Sequence, residues 1–195
     1  MTGGGDARTT MRRRDRGKDE GWIREFLTQA RWGVAAFTDD GGQPFVNANL
    51  FWYDPERHAV YLHTARTGRT PGLLARERPV CFTTSEMGRL LPADEALEFS
   101  VEYAGVVVFG PGVTVADGAE ARAALDGLLR KYAPHLEPDR DYRGITDEEM
   151  ARTAVFRIDV EAWSGKAKTE ADDFPGAFHV PAPSLLPGAF RGVGD

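Results

Sequence analysis

Residues 32–64 read WGVAAFTDDGGQPFVNANLFWYDPERHAVYLHT, and this run decides the fold. Trp32 to Thr38 is a short apolar strand, and Asp39-Asp40-Gly41-Gly42 supplies the residues of a tight reversal. Pro44 to Tyr53 is a second strand, and Ala59 to Thr64 a third. Three strands in succession joined by tight turns cannot be parallel, because parallel neighbours need a crossover of a dozen or more residues.

Outward from that run the pattern continues. A helix is predicted after Asp19, whose carboxylate can cap it, with Trp22, Ile23, Phe26, Leu27 and Ala30 on one stripe. Beyond Thr64 come a short helix over Pro71 to Glu77 and a strand over Val80 to Ser85. An irregular link from Glu86 to Ala96 leads to strands Glu98 to Phe109 and Gly112 to Ala116, divided at Gly110-Pro111. Asp117 caps a second long helix, and Thr146 with Glu149 forms a capping box for one more turn. Thr153 to Ala162 is the last predicted strand. The fold class is mainly β with flanking helices, arranged as an antiparallel barrel.

The chain divides into three parts: a flexible basic arm over residues 1–18, a body over 19–168 and a Pro/Gly-rich strap over 169–195. The arm holds Arg12, Arg13, Arg14, Arg16 and Lys18 but little apolar surface to offset the entropy of ordering. The tail carries Pro175, Pro181, Pro183 and Pro187, yet Phe174, Phe178, Leu185, Leu186 and Phe190 need cover, so it is expected to pack across the body or a second subunit.

With 24 basic and 30 acidic side chains the net charge is -6, which argues against general nucleic-acid binding. No apolar run approaches the ~20 residues of a membrane-spanning helix, and no apolar stretch follows the N-terminal arginines as a secretory signal requires. The single cysteine, Cys81, suits a reducing compartment, and a cytoplasmic protein is expected. Cys81 lies between Val80 and Phe82, where it reads as a small core hydrophobe.

No Walker loop, dinucleotide fingerprint or His-Glu-x-x-His motif is present. The four histidines, His58, His63, His135 and His179, have no metal-ligand spacing, so no metal site is expected. His63 stands out because it ends an apolar strand and runs into Arg66-Thr67-Gly68-Arg69-Thr70, a polar corner suited to a phosphate. Asn47 and Asn49 share a strand face with Phe45 and Phe51, where amides must find partners, either neighbouring loops or the polar edge of a flat ligand.

Several stretches together carry a resemblance: Met11 to Arg16, Tyr61-Leu62-His63-Thr64 with Gly68-Arg69, Phe99 to Tyr103 leading to Val108-Phe109-Gly110, Arg130-Lys131-Tyr132, Arg152 to Val155, and Trp163-Ser164-Gly165-Lys166. In their order and spacing, from Met11 to about Lys168, the chain resembles the flavin-binding split-barrel superfamily of pyridoxamine 5'-phosphate oxidase, and within it the nitroimidazole-resistance (Nim) type. The resemblance implies a homodimer of six-stranded antiparallel split β-barrels with FMN at the subunit interface. It implies that Asn47, Ala48 and Asn49 lie along the isoalloxazine ring, with His63 and Thr64 beside it and His63 at the reacting edge as the catalytic residue. Arg69 would hold the phosphate, with Lys166 as a second cation, a match for a dianion. Thr70 and Ala104-Gly105 stand where the family commonly keeps a basic residue and Arg-Ser, which leaves deazaflavin or haem as alternative cofactors. The expected activity is FMN-dependent reduction of a small electron-poor molecule, the partners being that acceptor and a second copy of the chain. A pyridoxamine-phosphate-oxidase-type enzyme and a non-catalytic flavin or haem carrier are the alternatives.

Overall fold

A computed structural model describes residues 6–74 and 78–180. The chain opens with two 3-10 turns, Ala7–Thr9 and Arg14–Arg16, and strand β1 (Gly17–Lys18). Helix α1 (Glu20–Gln29) starts where Asp19 accepts a hydrogen bond from the Trp22 N–H, as its sequence predicts. β2 (Gly33–Thr38) and β3 (Pro44–Asn49) form a hairpin, then β4 (Trp52–Asp54) pairs with β5 (Ala59–Ala65). The β2–β3 turn is held by Asp39 Oδ1, which accepts from the N–H groups of Gly41 and Gln43, while Gly42 takes a φ of 81°.

After α2 (Arg69–Leu74) come two long strands, β6 (Pro79–Leu91) and β7 (Ser100–Thr114). Helix α3 (Gly118–Tyr132) is capped by Asp117, and α4 (Asp147–Arg152) by the predicted Thr146/Glu149 box. β8 (Thr153–Asp159) and β9 (Ala162–Lys168) complete the set.

The named strands all pair antiparallel, in the order β3-β2-β6-β7-β8-β5-β4, with β9 on β7 and β1 on β9. The path ends on β3 and β4, which do not pair with each other, so the sheet curls round its core without closing. That core takes Ala35 and Phe37 of β2, Tyr53 of β4, Val60 and Leu62 of β5, Phe82 of β6, Val106 and Val108 of β7, Phe156 and Ile158 of β8, and Ile23 and Leu27 of α1.

Among the described residues the strand count is nine, not six, and two tertiary contacts account for most of the difference. The predicted strand from Pro44 to Tyr53 breaks at Leu50–Phe51, because the Tyr132 hydroxyl takes both the N–H and the C=O of Phe51, each at 3.0 Å. The last strand bends at Val160–Glu161. Before the bend it lies between β7 and β5; after it, between β7 and β1. Gly110 permits the crossing, since a methyl group there would sit 1.7 Å from the Asp159 carbonyl oxygen. β7 itself runs straight through Gly110-Pro111, and β6 continues past Ser85 to Leu91 with a register shift between Met87 and Leu90.

The basic segment expected to be a mobile arm lies against the sheet over residues 6–18. Gly17 pairs with Lys166 and Lys18 with Gly165, Arg8 ion-pairs with Glu161 at 3.0 Å, and Arg16 donates to the Tyr103 hydroxyl at 3.1 Å. Of the expected strap, residues 169–180 are described; Pro181, Pro183, Leu185, Leu186, Pro187 and Phe190 lie outside the described residues. Phe178 exchanges both backbone hydrogen bonds with Leu90, at 2.7 and 3.1 Å. Arg89 forks onto the Glu102 carboxylate at 2.7 and 2.9 Å and donates to the carbonyls of Glu170, Ala171 and Asp172.

Candidate functional site

Three places on the molecule carry the chemistry that the sequence points to. The first is the outer face of β6, β7 and β9. Along β7 the side chains of Val106 and Val108 enter the core, so Tyr103, Gly105 and Val107 face outward; on β6 the outward set includes Thr83 and Ser85, and on β9 Ser164 and Lys166. Together with Met11, Met87 and Val101 these residues line a groove of about 540 Å³. Thr83, Ser85, Ala104, Gly105, Val107 and Ser164 give its floor small side chains. Lys166 lies with its ammonium 5.2 Å from the Tyr103 ring centroid.

The second place is the corner where the β2–β3 hairpin meets α2. Asn47 donates to the Thr70 hydroxyl at 3.2 Å, and Asn49 donates to the Asn47 carbonyl at 2.9 Å. The Arg69 guanidinium lies 4.5 Å from the Phe45 ring centroid and pairs with Asp39 at 3.3 Å, its side chain half exposed. Ala48 points to the opposite, exposed side of β3, which is an edge strand of the sheet.

His63 belongs to the third place. Strand alternation sends it to the same face of β5 as Ala59 and Tyr61, which pack under α3, whereas Thr64 shares the face of Val60 and Leu62 and donates to the Ala65 carbonyl. The imidazole opens into a groove of about 350 Å³ lined by Leu125, Leu128 and Leu129 of α3, with Tyr142, Arg143, Ile145, Glu149 and Thr153. Arg143 pairs with Glu149 at 2.7 Å on its rim. Shielding by these walls lowers the His63 pKa below that of a free imidazole, so the ring is neutral at pH 7.

The structure therefore brings Asn47, Asn49 and Arg69 together, sets His63 on a different face from them, and leaves Lys166 on the outer face of β9. Arg69 and Lys166 share no partner among the described residues. Sequence reasoning missed Arg16, Ser85, Tyr103 and Ser164 as neighbours of Lys166. The signal was available in the alternation of β6 and β7, which places Thr83, Ser85, Tyr103 and Gly105 outward once the buried residues are assigned to the other face.

Compared with solved structures, the chain resembles a flavocytochrome from Azotobacter vinelandii, with a TM-score of 0.73 and 21% identity over 93% of this chain and 81% of that one. An FAD and heme binding protein from Mycobacterium smegmatis gives 0.70 and 20% over 88% and 90%. A structure described as a candidate 5-nitroimidazole antibiotic resistance protein from Bacteroides thetaiotaomicron gives 0.64 and 24% over 77% and 84%. At these identities the likeness shows the fold. No curated protein matches the sequence. Among the described residues no helix is long and apolar enough to cross a membrane. Residues 19–167, spanning every major strand and the four helices, match the pyridoxamine 5'-phosphate oxidase family, and the chain belongs to that family.

Proposed function

We propose that this protein is an FMN-dependent oxidoreductase that delivers electrons to a small electron-poor molecule, as nitroimidazole reductases do, and that it works as a homodimer in the cytoplasm. The observation that carries the reading is the groove over β6, β7 and β9. Its volume is that of an ordinary ligand pocket, its small side chains leave room for a planar ring, and Lys166 supplies a cation for a phosphate. The hydroxyls of Thr83, Ser85 and Ser164 and the amides of Asn47 and Asn49 are the kind of groups that meet the polar edge of such a ring. A flavin, when bound, supplies the electron transfer; the protein binds and orients it and excludes water.

Two apolar areas support the dimer. Trp32, Val46 and Leu50 are about half exposed along the β2–β3 hairpin, at 50%, 60% and 49%, and Met87 and Phe99 are exposed beside the groove. Exposed apolar surface of this kind is characteristic of an interface. A second copy packed there would add its Asn47–Arg69 corner to the groove, giving the phosphate a guanidinium as well as the Lys166 ammonium. In this reading His63, neutral at pH 7, orients the acceptor or passes it a proton through its ring nitrogens. The lone Cys81 is consistent with the reducing compartment assigned.

The absorbance spectrum of the purified protein, with FMN titration, tests the assignment. Arg69→Ala is expected to weaken FMN binding by about 1.5–3 kcal/mol, the worth of a charge-assisted hydrogen bond. His63→Ala is expected to keep FMN binding while slowing reoxidation of reduced protein by a nitroaromatic about 10²-fold. Unchanged affinity in the first variant and unchanged rate in the second would remove both residues from the site.

The His63 groove favours a second reading, a haem carrier. A neutral imidazole facing three leucines, with Arg143 at the rim, is a setting for an iron ligand and a propionate partner. Haem titration of the parent and of His63→Ala distinguishes the two readings. A haem absorption band that appears in the parent and is lost in the variant supports the carrier; no band in the parent excludes it.

A further inference from the structure

The N-terminal segment and strand β9 bring two cations to one neutral oxygen. Arg16 donates to the Tyr103 hydroxyl at 3.1 Å, and Lys166 lies beside the same phenol, its ammonium 5.2 Å from the ring centroid. The Gly17–Lys166 pairing fixes this arrangement, because it holds the residue next to Arg16 directly opposite Lys166 in the β1–β9 ladder. Three other cations of this region have carboxylate partners, Arg13 with Asp15 at 2.6 Å, Arg8 with Asp6 and Glu161, and Lys168 with Glu170 at 3.6 Å, while Lys18 lies over the Trp22 ring. Among the described residues neither Arg16 nor Lys166 has a carboxylate within ion-pair distance. Glu86, the one acid lining the groove, faces Arg31 at 3.8 Å.

Two like charges converging on a hydroxyl repel each other and gain little from it, and the arrangement is stabilised when an anion enters. The site is half-buried rather than fully solvated, so the repulsion is not fully screened. It also opens onto the large groove, which Met11 of the same segment helps to line. We propose that Arg16, Lys166 and the Tyr103 hydroxyl form an oxyanion subsite that takes the phosphate of a planar ligand lying in the β6–β7–β9 groove, with the N-terminal segment closing over that ligand. The identity of the ligand as a flavin rests on the reading given above; the subsite itself rests on the three side chains.

The Tyr103 phenol reports on the subsite directly. The surrounding sheet opposes its ionisation, but the hydrogen bond from Arg16 and the neighbouring Lys166 ammonium outweigh that and hold its pKa below the ordinary tyrosine value. The buried Tyr53 and Tyr61 and the half-buried Tyr132 are shifted the other way. An anion held between the two cations withdraws part of their support, so Tyr103 should titrate at higher pH when the subsite is filled.

The test uses the full-length protein freed of bound ligand, titrated with FMN, with riboflavin and with inorganic phosphate. FMN should bind about 10- to 100-fold more tightly than riboflavin, as expected for charge-assisted bonds to a phosphate. Arg16→Gln and Lys166→Gln should each reduce that preference about tenfold and leave riboflavin binding unchanged. A preference that persists undiminished in both variants overturns the proposal. If neither flavin binds, the flavin reading fails and the phosphate arm decides the subsite. Millimolar phosphate should then raise the midpoint of the phenolate absorbance change in the parent but not in Arg16→Gln, with Tyr103→Phe identifying the phenol. No shift in the parent would overturn the subsite as well.

Discussion

Both ends of the described chain lie on the same sheet, but they are fastened by different means. Residues 169–180 are held by a fork from Arg89 to Glu102, three further bonds from Arg89 to chain carbonyls, the Glu170 N–H to Glu102 at 2.8 Å, and the paired bonds between Leu90 and Phe178. The Arg89 and Glu102 side chains are 16% and 11% exposed, so water competes poorly for these bonds. Residues 6–18 are held by a two-residue strand and by ion pairs whose side chains are a third to more than half exposed. Exposed pairs of that kind contribute little to stability. The C-terminal segment is therefore part of the folded body, whereas the N-terminal segment can leave the sheet at little cost, as a cover over a ligand groove must.

The largest effect that would break this contrast is expected for Glu102→Gln. It leaves the Arg89 guanidinium half-buried without its counter-charge, and cleavage by an added protease within residues 169–180 should accelerate more than about tenfold. Cleavage no faster than in the parent would show that the segment is held by other contacts. Acid gives a graded version of the same test. The hydrogen bond from Arg89, reinforced by the Glu170 N–H, holds the Glu102 pKa at about 2, against 4.5 for a free carboxyl. A carboxylate with a depressed folded-state pKa stabilises fully above the free value and loses that contribution as pH falls through the folded value. Protease protection of residues 169–180 should thus hold down to pH 4.5 and fade between 4.5 and about 2.

The smallest effect belongs to the other end. Removing residues 1–15 is expected to change the melting temperature by no more than about 2 °C, since the ion pairs of the described residues 6–15 are exposed ones. A drop of the size expected from a core defect would show that the segment is structural. Protection of residues 6–18 from protease should also fall on going to about 1 M salt, where exposed charges are screened, while that of 169–180 should not. Equal salt sensitivity at the two ends would erase the distinction.

What the sequence shows of this molecule, and what it hides, follows the reach of the interactions involved. Asp19, Asp117 and the Thr146/Glu149 box announce their helices because a cap acts within four residues. The turn at Asp39 is legible for the same reason. The break at Phe51 is set by Tyr132 and the bend at Val160–Glu161 is accepted by Gly110, so neither shows in the residues beside it. β9 is hidden because Gly165 and Lys166 look like a loop, although α1 packs close over Gly165, whose absent side chain makes room for Ile23 and Trp22. At the candidate site the residue types were legible and their directions were not. The resemblance puts both Asn47 and His63 along one flavin; within one chain, two-residue alternation from the buried Leu62 sends His63 to the α3 side of the sheet.

The placing of the bent last strand bears on how the chain can be assembled. β8 supplies the partner of β5 along its whole length, and β9 pairs with β7 and with β1 at the opposite end of the sequence. On a ribosome, β5, β7 and the N-terminal segment are all made before either half of that strand exists. Until about residue 168 emerges, the nascent protein presents unpaired strand edges beside an uncovered apolar face. The sheet can then be completed only from its last-made strand, so a growing chain that stalls before Thr153 has a core it cannot close.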